Sequence, residues 1–343
     1  MVLGHIRRKN DNHLKEQEIK DMLLRQLLLQ YLQNIRSLPV IQYNNEKICY
    51  RDINVFNLCS KNMNDANNKK RENIIGSIID NTRIRMDAKN PFNDYYRFSR
   101  RWSNIKDALF NYIDKELNIN INKDITLTHK GGRKYNYDFE IASENTKYNI
   151  ELKFNIDDVK QAPQFVSPYN PSKYMSSSYE EYYYDNYLPR LTSLRDDLII
   201  PDKRTYLLEV NSTTPNCMKK YQEIYYNGCK ASSRYTKDTR DIEFYKLANK
   251  LSQESIIAFI SATALNIDML NDYLRSSQKD KIYMLYKNGK FYKQVIEPRK
   301  YMIVSYTKYK NKFIAKTQDG NDIKILLRWK NGNGIAFPAF QIS

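Results

Sequence analysis

Apolar and polar positions alternate along the chain with periods that change twice, and the changes divide it into three stretches. Residues 13–36 (HLKEQEIKDMLLRQLLLQYLQNIR) put Ile19, Leu23, Leu27 and Tyr31 four apart on one side, which predicts an amphipathic helix. The Asn-, Asp- and Lys-rich run at 60–71 (SKNMNDANNKKR) reads as a loop or solvated surface, its KKR included. From residue 103 to 117 the period is again helical. Ser103 is placed to cap the start, and Ile105, Ala108, Leu109, Tyr112 and Ile113 form the apolar stripe.

Period two follows at 125–129, 134–141 and 147–154, predicting three strands. A tyrosine-rich stretch at 179–187 leads into a helix, 204–210 (RTYLLEV) reads as a buried strand, and helical spacing fills about 218–276. The order from residue 103 is therefore α-β-β-β-α-β. Six more strand-like segments close the chain, at 281–287, 291–296, 301–306, 312–316, 323–329 and 335–340. Turn signals at Asn288-Gly289, Asp319-Gly320 and Asn331-Gly332 separate several of them, as in an antiparallel meander. The expected organisation is an N-terminal helical region (1–100), an α/β core (101–276) and a C-terminal β-rich module (277–343).

Charge narrows the function. Over 343 residues, 56 Lys and Arg face 39 Asp and Glu, a net charge of +17, and a chain this basic is expected to bind polyanions. Twenty-nine tyrosines supply a core and stacking surfaces although apolar residues reach only 41%. Cys49, Cys59, Cys217 and Cys229 have no C-x-x-C spacing, which argues against zinc fingers and redox motifs and fits reduced thiols. The longest apolar run, 256–267 (IIAFISATALNI), is too short for a membrane span, and the N-terminus lacks a signal-peptide core. An intracellular, non-secreted protein without membrane partners is the expectation.

The chemistry gathers in residues 135–154, YNYDFEIASENTKYNIELKF. Tyr135, Tyr137, Phe139 and Ile141 share one strand face and leave Asn136, Asp138 and Glu140 on the other. Tyr148, Ile150, Leu152 and Phe154 likewise leave Asn149, Glu151 and Lys153 opposite. A four-residue loop at 143–146 sets Asp138 across from Glu151 and Asn136 across from Lys153. Two carboxylates and an ammonium on one face suit phosphodiester hydrolysis with Mg²⁺ or Mn²⁺ held by oxygen donors. The bland alternative is the solvated outer face of a hairpin.

Asp138 followed by Glu151-Leu152-Lys153, behind a helix and across three strands, resembles the PD-(D/E)XK nuclease superfamily over about residues 100–212. Tyr137 stands where the family motif has proline. The resemblance implies a restriction-endonuclease-like core, Asp138 and Glu151 as metal ligands, Lys153 as the catalytic lysine and DNA as substrate. It also implies a glutamate on the first core helix, and Glu116 is the candidate third acid. At about 100° per residue from Ile105, Glu116 falls within the apolar arc while Asp107 and Asp114 point away, and an acid facing a core is costly unless paired or metal-bound.

The main expectation is thus a metal-dependent deoxyribonuclease, acting as an endonuclease. Its rivals are a non-catalytic nucleic-acid-binding protein on the same fold and an RNA endonuclease of the cap-snatching kind. The β-rich module is a candidate sequence reader or homodimer surface. Gln161 and Gln164 read as surface helix, His129 as a strand-end residue and Arg100-Arg101 as a solvated turn. No phosphate-binding G-x-x-x-x-G-K-[ST] is present.

Overall fold

The computed structural model describes residues 2–58, 65–82, 90–121, 125–131, 135–144, 146–162, 164–212, 214–228, 239–331 and 334–343. The chain is mixed α and β and divides into two compact units, Met1–Leu127 with Ala142–Asn145, and Thr128–Ile141 with Thr146–Ser343. Among the described residues no helix is long and apolar enough to cross a membrane.

The first unit holds a long helix α1 (Val2–Arg36), a short hairpin β1 (Ile41–Tyr43) and β2 (Glu46–Ile48), and helices α2 (Asp65–Thr82), α3 (Asn93–Phe98) and α4 (Arg100–Asn111). On α1 the predicted stripe is present but not covered, with Ile19, Leu23, Leu27 and Tyr31 between 43 and 62% exposed. The expected loop at 60–71 is in part helix. Residues 60–64 lie outside the described residues, but α2 carries the KKR triplet and buries Arg71, whose Nε donates to the Val55 carbonyl at 2.8 Å. Buried residues here include Phe92, Tyr95 and Trp102, whose rings meet at centroid distances of 5.0–5.7 Å.

Helix α4 begins four residues before the expected start. Ser99 occupies the capping position, and Ser103 instead donates to the Tyr96 carbonyl. The predicted stripe holds, with Ile105, Leu109, Tyr112 and Ile113 buried. After Asn111 the backbone widens into a π turn over Tyr112–Glu116, closed by Leu117 N–H donating to the Tyr112 carbonyl at 3.2 Å. The rotation per residue is then smaller than 100°, and the helical wheel no longer applies. Glu116 is exposed rather than turned toward a core.

Five strands form the main sheet in the order β3 (Thr126–His129), β4 (Phe139–Ser143), β5 (Thr146–Phe154), β6 (Lys281–Lys287) and β7 (Lys290–Gln294). Strands β4 and β5 are joined through residues 144–145, a link short enough only for an antiparallel hairpin. Strand β6 runs parallel to β5 with Asn149 beside Lys281, Glu151 beside Tyr283 and Lys153 beside Leu285. Six of its seven residues are buried, as expected of a strand covered on both faces. The β6–β7 hairpin turns at Asn288 (φ 50°) and Gly289 (φ 78°), the left-handed pair a two-residue turn requires. Thus the sheet spans the expected boundary at 276/277, and only four strands form a separate antiparallel sheet: β8 (Ile303–Tyr309), β9 (Lys312–Thr317), β10 (Asp322–Asn331) and β11 (Ala336–Ile342), in the order β11-β10-β9-β8.

Between β5 and β6 the chain is helical: α5 (Tyr179–Asn186), α6 (Leu188–Thr192), α7 (Lys203–Glu209), α8 (Pro215–Gly228), α9 (Thr239–Ala262) and α10 (Ile267–Gln278). The predicted strand at 204–210 is α7. Asp202 caps it, accepting from Thr205 N–H at 3.1 Å, and Tyr206 and Val210 fall four apart on the buried side. The strand that joins the main sheet after these helices is β6 instead. One hydrophobic cluster runs from Ile156 to Ile342, and tyrosines are prominent in it. Trp329 Nε1 donates to the Tyr179 hydroxyl at 3.0 Å, and the Trp329 ring stands edge-on to Tyr183 at 4.9 Å. Gly334 (φ 93°) lies against this cluster, where any Cβ would collide with the Tyr183 hydroxyl. Cys49 and Cys217 are free thiols, and Cys59 and Cys229 lie outside the described residues.

Candidate active site

The site is built on β5. Its pleat buries Ile150, Leu152 and Phe154 and turns Asn149, Glu151 and Lys153 to the other face. Asp138 sits just ahead of β4, in a bend at 136–138, because the first strand of the hairpin starts later than its alternation predicts. Its N–H donates to the Ile150 carbonyl at 2.8 Å, and its Oδ2 accepts from Leu152 N–H at 2.8 Å. Asp138 is thereby fastened to the chain on both sides of Glu151, and the two predicted carboxylates are brought together. Asn136 and Lys153 line the same cavity. Asn136 is exposed, and its amide donates to the Ser277 carbonyl.

Lys153 Nζ lies 2.7 Å from Glu151 Oε1 and 3.3 Å from the Gln164 carbonyl. A second ammonium, absent from the sequence expectations, approaches from β6: Lys281 Nζ is 3.6 Å from Glu151 Oε2, with its side chain 4% exposed. It also lies 4.9 Å from the Tyr283 ring centroid, and the Tyr283 hydroxyl donates to Gln278 Oε1 at 2.7 Å. Glu151 is therefore clasped by two lysines, one from its own strand and one from the parallel neighbour. Burial works to raise its carboxyl, but the charges and hydrogen bonds of Lys153 and Lys281 outweigh burial and hold it below the usual carboxylate range. Burial, with the charge of Lys153, lowers the Lys281 ammonium against the pull of Glu151 and Asp138.

These groups open on a cavity of about 610 Å³ lined entirely by the second unit. Asp138 and Glu151 share its wall with four lysines, Lys153, Lys173, Lys281 and Lys330. Gln164, expected on a surface helix, lines it through the segment that follows β5, while Gln161 is exposed and accepts from Asp157 N–H. His129 is half-buried beside Phe139, and Arg101 donates to Asn54, so neither joins the site in the described contacts.

Oxygen donors from two carboxylates match what Mg²⁺ takes from a protein, with water and phosphate supplying the rest. A larger protein-only cage is not found: among the described residues no group of three or more His, Cys, Asp or Glu side chains is arranged to hold a metal ion. Glu116, exposed at the end of its π turn, lacks the inward orientation that suggested a third ligand. Compared with known proteins, the chain matches no family model, no curated protein and no solved structure.

Proposed function

We propose that the protein is a metal-dependent nuclease hydrolysing DNA phosphodiester bonds, on a core of the PD-(D/E)XK kind. The observation that carries the reading is the meeting of Asp138, Glu151 and Lys153 on one wall of a lysine-rich cavity. The parallel strand β6 beside β5 supports the core assignment.

In this reading Asp138 and Glu151 hold Mg²⁺ or Mn²⁺, which when bound supplies a Lewis acid toward the phosphate and an acidified water. The chain prepares the rest. Leu152 N–H fixes one oxygen of Asp138, so that carboxylate is oriented before substrate arrives. The two ammoniums keep Glu151 ionised and stand ready to offset negative charge that grows on the phosphate during displacement. The Gln164 carbonyl gives Lys153 a second anchor beside Glu151.

A second reading is favoured by the same clasp. With Glu151 already paired twice and no third acid among the described residues, the cavity suits a protein that binds phosphate without cutting it. One experiment separates them: incubation of purified protein with supercoiled plasmid, linear DNA and RNA, with and without Mg²⁺. Metal-dependent cleavage lost in Asp138→Ala, Glu151→Ala and Lys153→Ala supports the nuclease. Full activity of Glu151→Ala would overturn it.

A further inference from the structure

We infer that the cavity admits a single nucleic-acid strand, and that intact duplex is not its ligand. The inference rests on the nucleic-acid reading of the site and specifies the form of the substrate.

Size is the first argument. About 610 Å³ lies within the range of pockets that enclose small molecules, roughly 300–1,000 Å³. B-form duplex is far larger, with a major groove alone about 12 Å across, and proteins read it by laying elements on it or into its grooves. Here the reactive groups are recessed: the side chains of Glu151 and Lys153 are only 16 and 19% exposed. A phosphate reaches them by entering the cavity, and one strand does so with its base unstacked.

The lining is the second argument. Beside the carboxylates stand four half-buried tyrosines, Tyr135, Tyr137, Tyr169 and Tyr273. Tyr135 and Tyr137 lie 5.6 Å apart between centroids, and Lys330 Nζ stands 4.7 Å over the Tyr169 ring while bonding its hydroxyl. Tyrosine faces with interleaved ammoniums form a platform for single strands: rings take bases irrespective of sequence, and lysines track phosphates. Duplex, whose bases are already stacked, leaves those rings unused. Lys173 and Lys330 supply cationic positions beyond the Glu151 clasp, where a phosphate next to the scissile one would sit.

The test uses the full chain and does not need cleavage. Fluorescence anisotropy would follow a labelled DNA 12-mer, the RNA of the same sequence and a blunt hairpin duplex, each in EDTA and in Ca²⁺. Tighter binding of either single strand than of duplex, by about tenfold or more, is expected. Tyr169→Ala should weaken single-strand binding about tenfold, Tyr169→Phe should restore it, and duplex binding should change in neither. Circular dichroism and thermal melts check folding. If Tyr169→Ala does not fold, the exposed Lys173→Glu carries the same expectation. Duplex bound as tightly as single strand, or single-strand binding unchanged in a folded Tyr169→Ala or in Lys173→Glu, overturns the inference. The two readings fail separately. Single-strand preference without Mg²⁺-dependent cutting removes the nuclease and keeps the strand site, whereas equal cutting of duplex and single strand does the reverse.

Discussion

Two buried charge clusters in the second unit invite comparison. In one, the Arg195 guanidinium forks onto Asp197, with both N···O distances at 2.7 Å, and its remaining arm reaches buried Asp241. In the other, a single carboxylate, Glu151, is held between two ammoniums beside Asp138. The first is fork-matched and absent from the cavity wall. The second forms part of that wall and faces an excess of lysines. Burial of charge is common to both and so does not mark a site. Access and imbalance do: an ion cluster that serves only the fold satisfies itself, whereas one built for an anionic ligand keeps positive charge in reserve.

The sharpest way to break this comparison is to delete charge from each cluster. Asp138→Ala, Glu151→Ala and Lys153→Ala are each expected to lower the cleavage rate by about 10³-fold or more, with circular dichroism close to wild type. Arg195→Ala removes the guanidinium paired with buried Asp241 and should lower unfolding free energy by about 3 kcal/mol, while activity per folded molecule stays unchanged. Urea melts and cleavage of single-stranded DNA on the same preparations read both effects. A loss of activity in folded Arg195→Ala would erase the distinction.

Lys281→Met probes the cluster that sequence did not reveal. Cleavage is expected to fall about 10²-fold, the scale of losing one donor to transition-state charge. Stability should hold or rise, because an apolar chain replaces a buried ammonium and Glu151 keeps Lys153. A stability loss beyond about 2 kcal/mol would place Lys281 with Arg195 as a structural ion.

How visible each part was in sequence follows from its range. Glu151 and Lys153 sit on one strand, where alternation puts them on one face, and Asp138 lies close by in sequence, held from its bend by Ile150 and Leu152. Lys281 comes from a strand beyond six helices, and no local pattern ties it to Glu151. The run IYMLY in β6 did carry a signal, since continuous apolar character suits a strand buried on both faces better than a meander. RTYLLEV was a short apolar run of ambiguous period, and Asp202 with Thr205 was the capping signal that decides for helix. The uncovered stripe on α1 shows the converse limit: periodicity predicted the helix but not whether anything buries it.

Alkaline pH sets the tyrosine core against Lys281 with opposite signs. Burial pushes Tyr179, Tyr206 and Tyr283 well above the ordinary phenol range, and Tyr301 up to about 12. A folded pKa above the unfolded one means stability that is intact below about pH 10 and lost as pH rises through the folded values. The loss is up to about 1.4 kcal/mol per pH unit for each phenol. Lys281 runs the other way. Burial holds its folded pKa below 10.5, so the unfolded chain binds the extra proton and stability rises toward that pH. Urea midpoints should therefore fall steeply above pH 10. Below it, wild type should gain on Lys281→Met as pH increases, and parallel curves would show that the buried ammonium is not lowered.

The smallest expected effect is the most discriminating for the metal. Glu116 would matter if it turned inward with Ile105, Leu109 and Tyr112, as an uninterrupted α-helix predicts. The π turn at Tyr112–Glu116 breaks that extrapolation and leaves the carboxylate exposed, whereas Glu151 is recessed in its cavity. Water screens the charge of an exposed carboxylate and weakens its pull on a cation. Glu116→Gln should then leave the Mg²⁺ concentration for half-maximal cleavage, and DNA binding in Ca²⁺, superimposable on wild type. Glu151→Gln gives the opposite result in the same titration, because it removes a ligand charge from the cavity. A several-fold rise in the Mg²⁺ requirement of Glu116→Gln would mean that the first unit contributes to the metal centre after all, and the two-carboxylate description of the site would have to yield to a three-acid one.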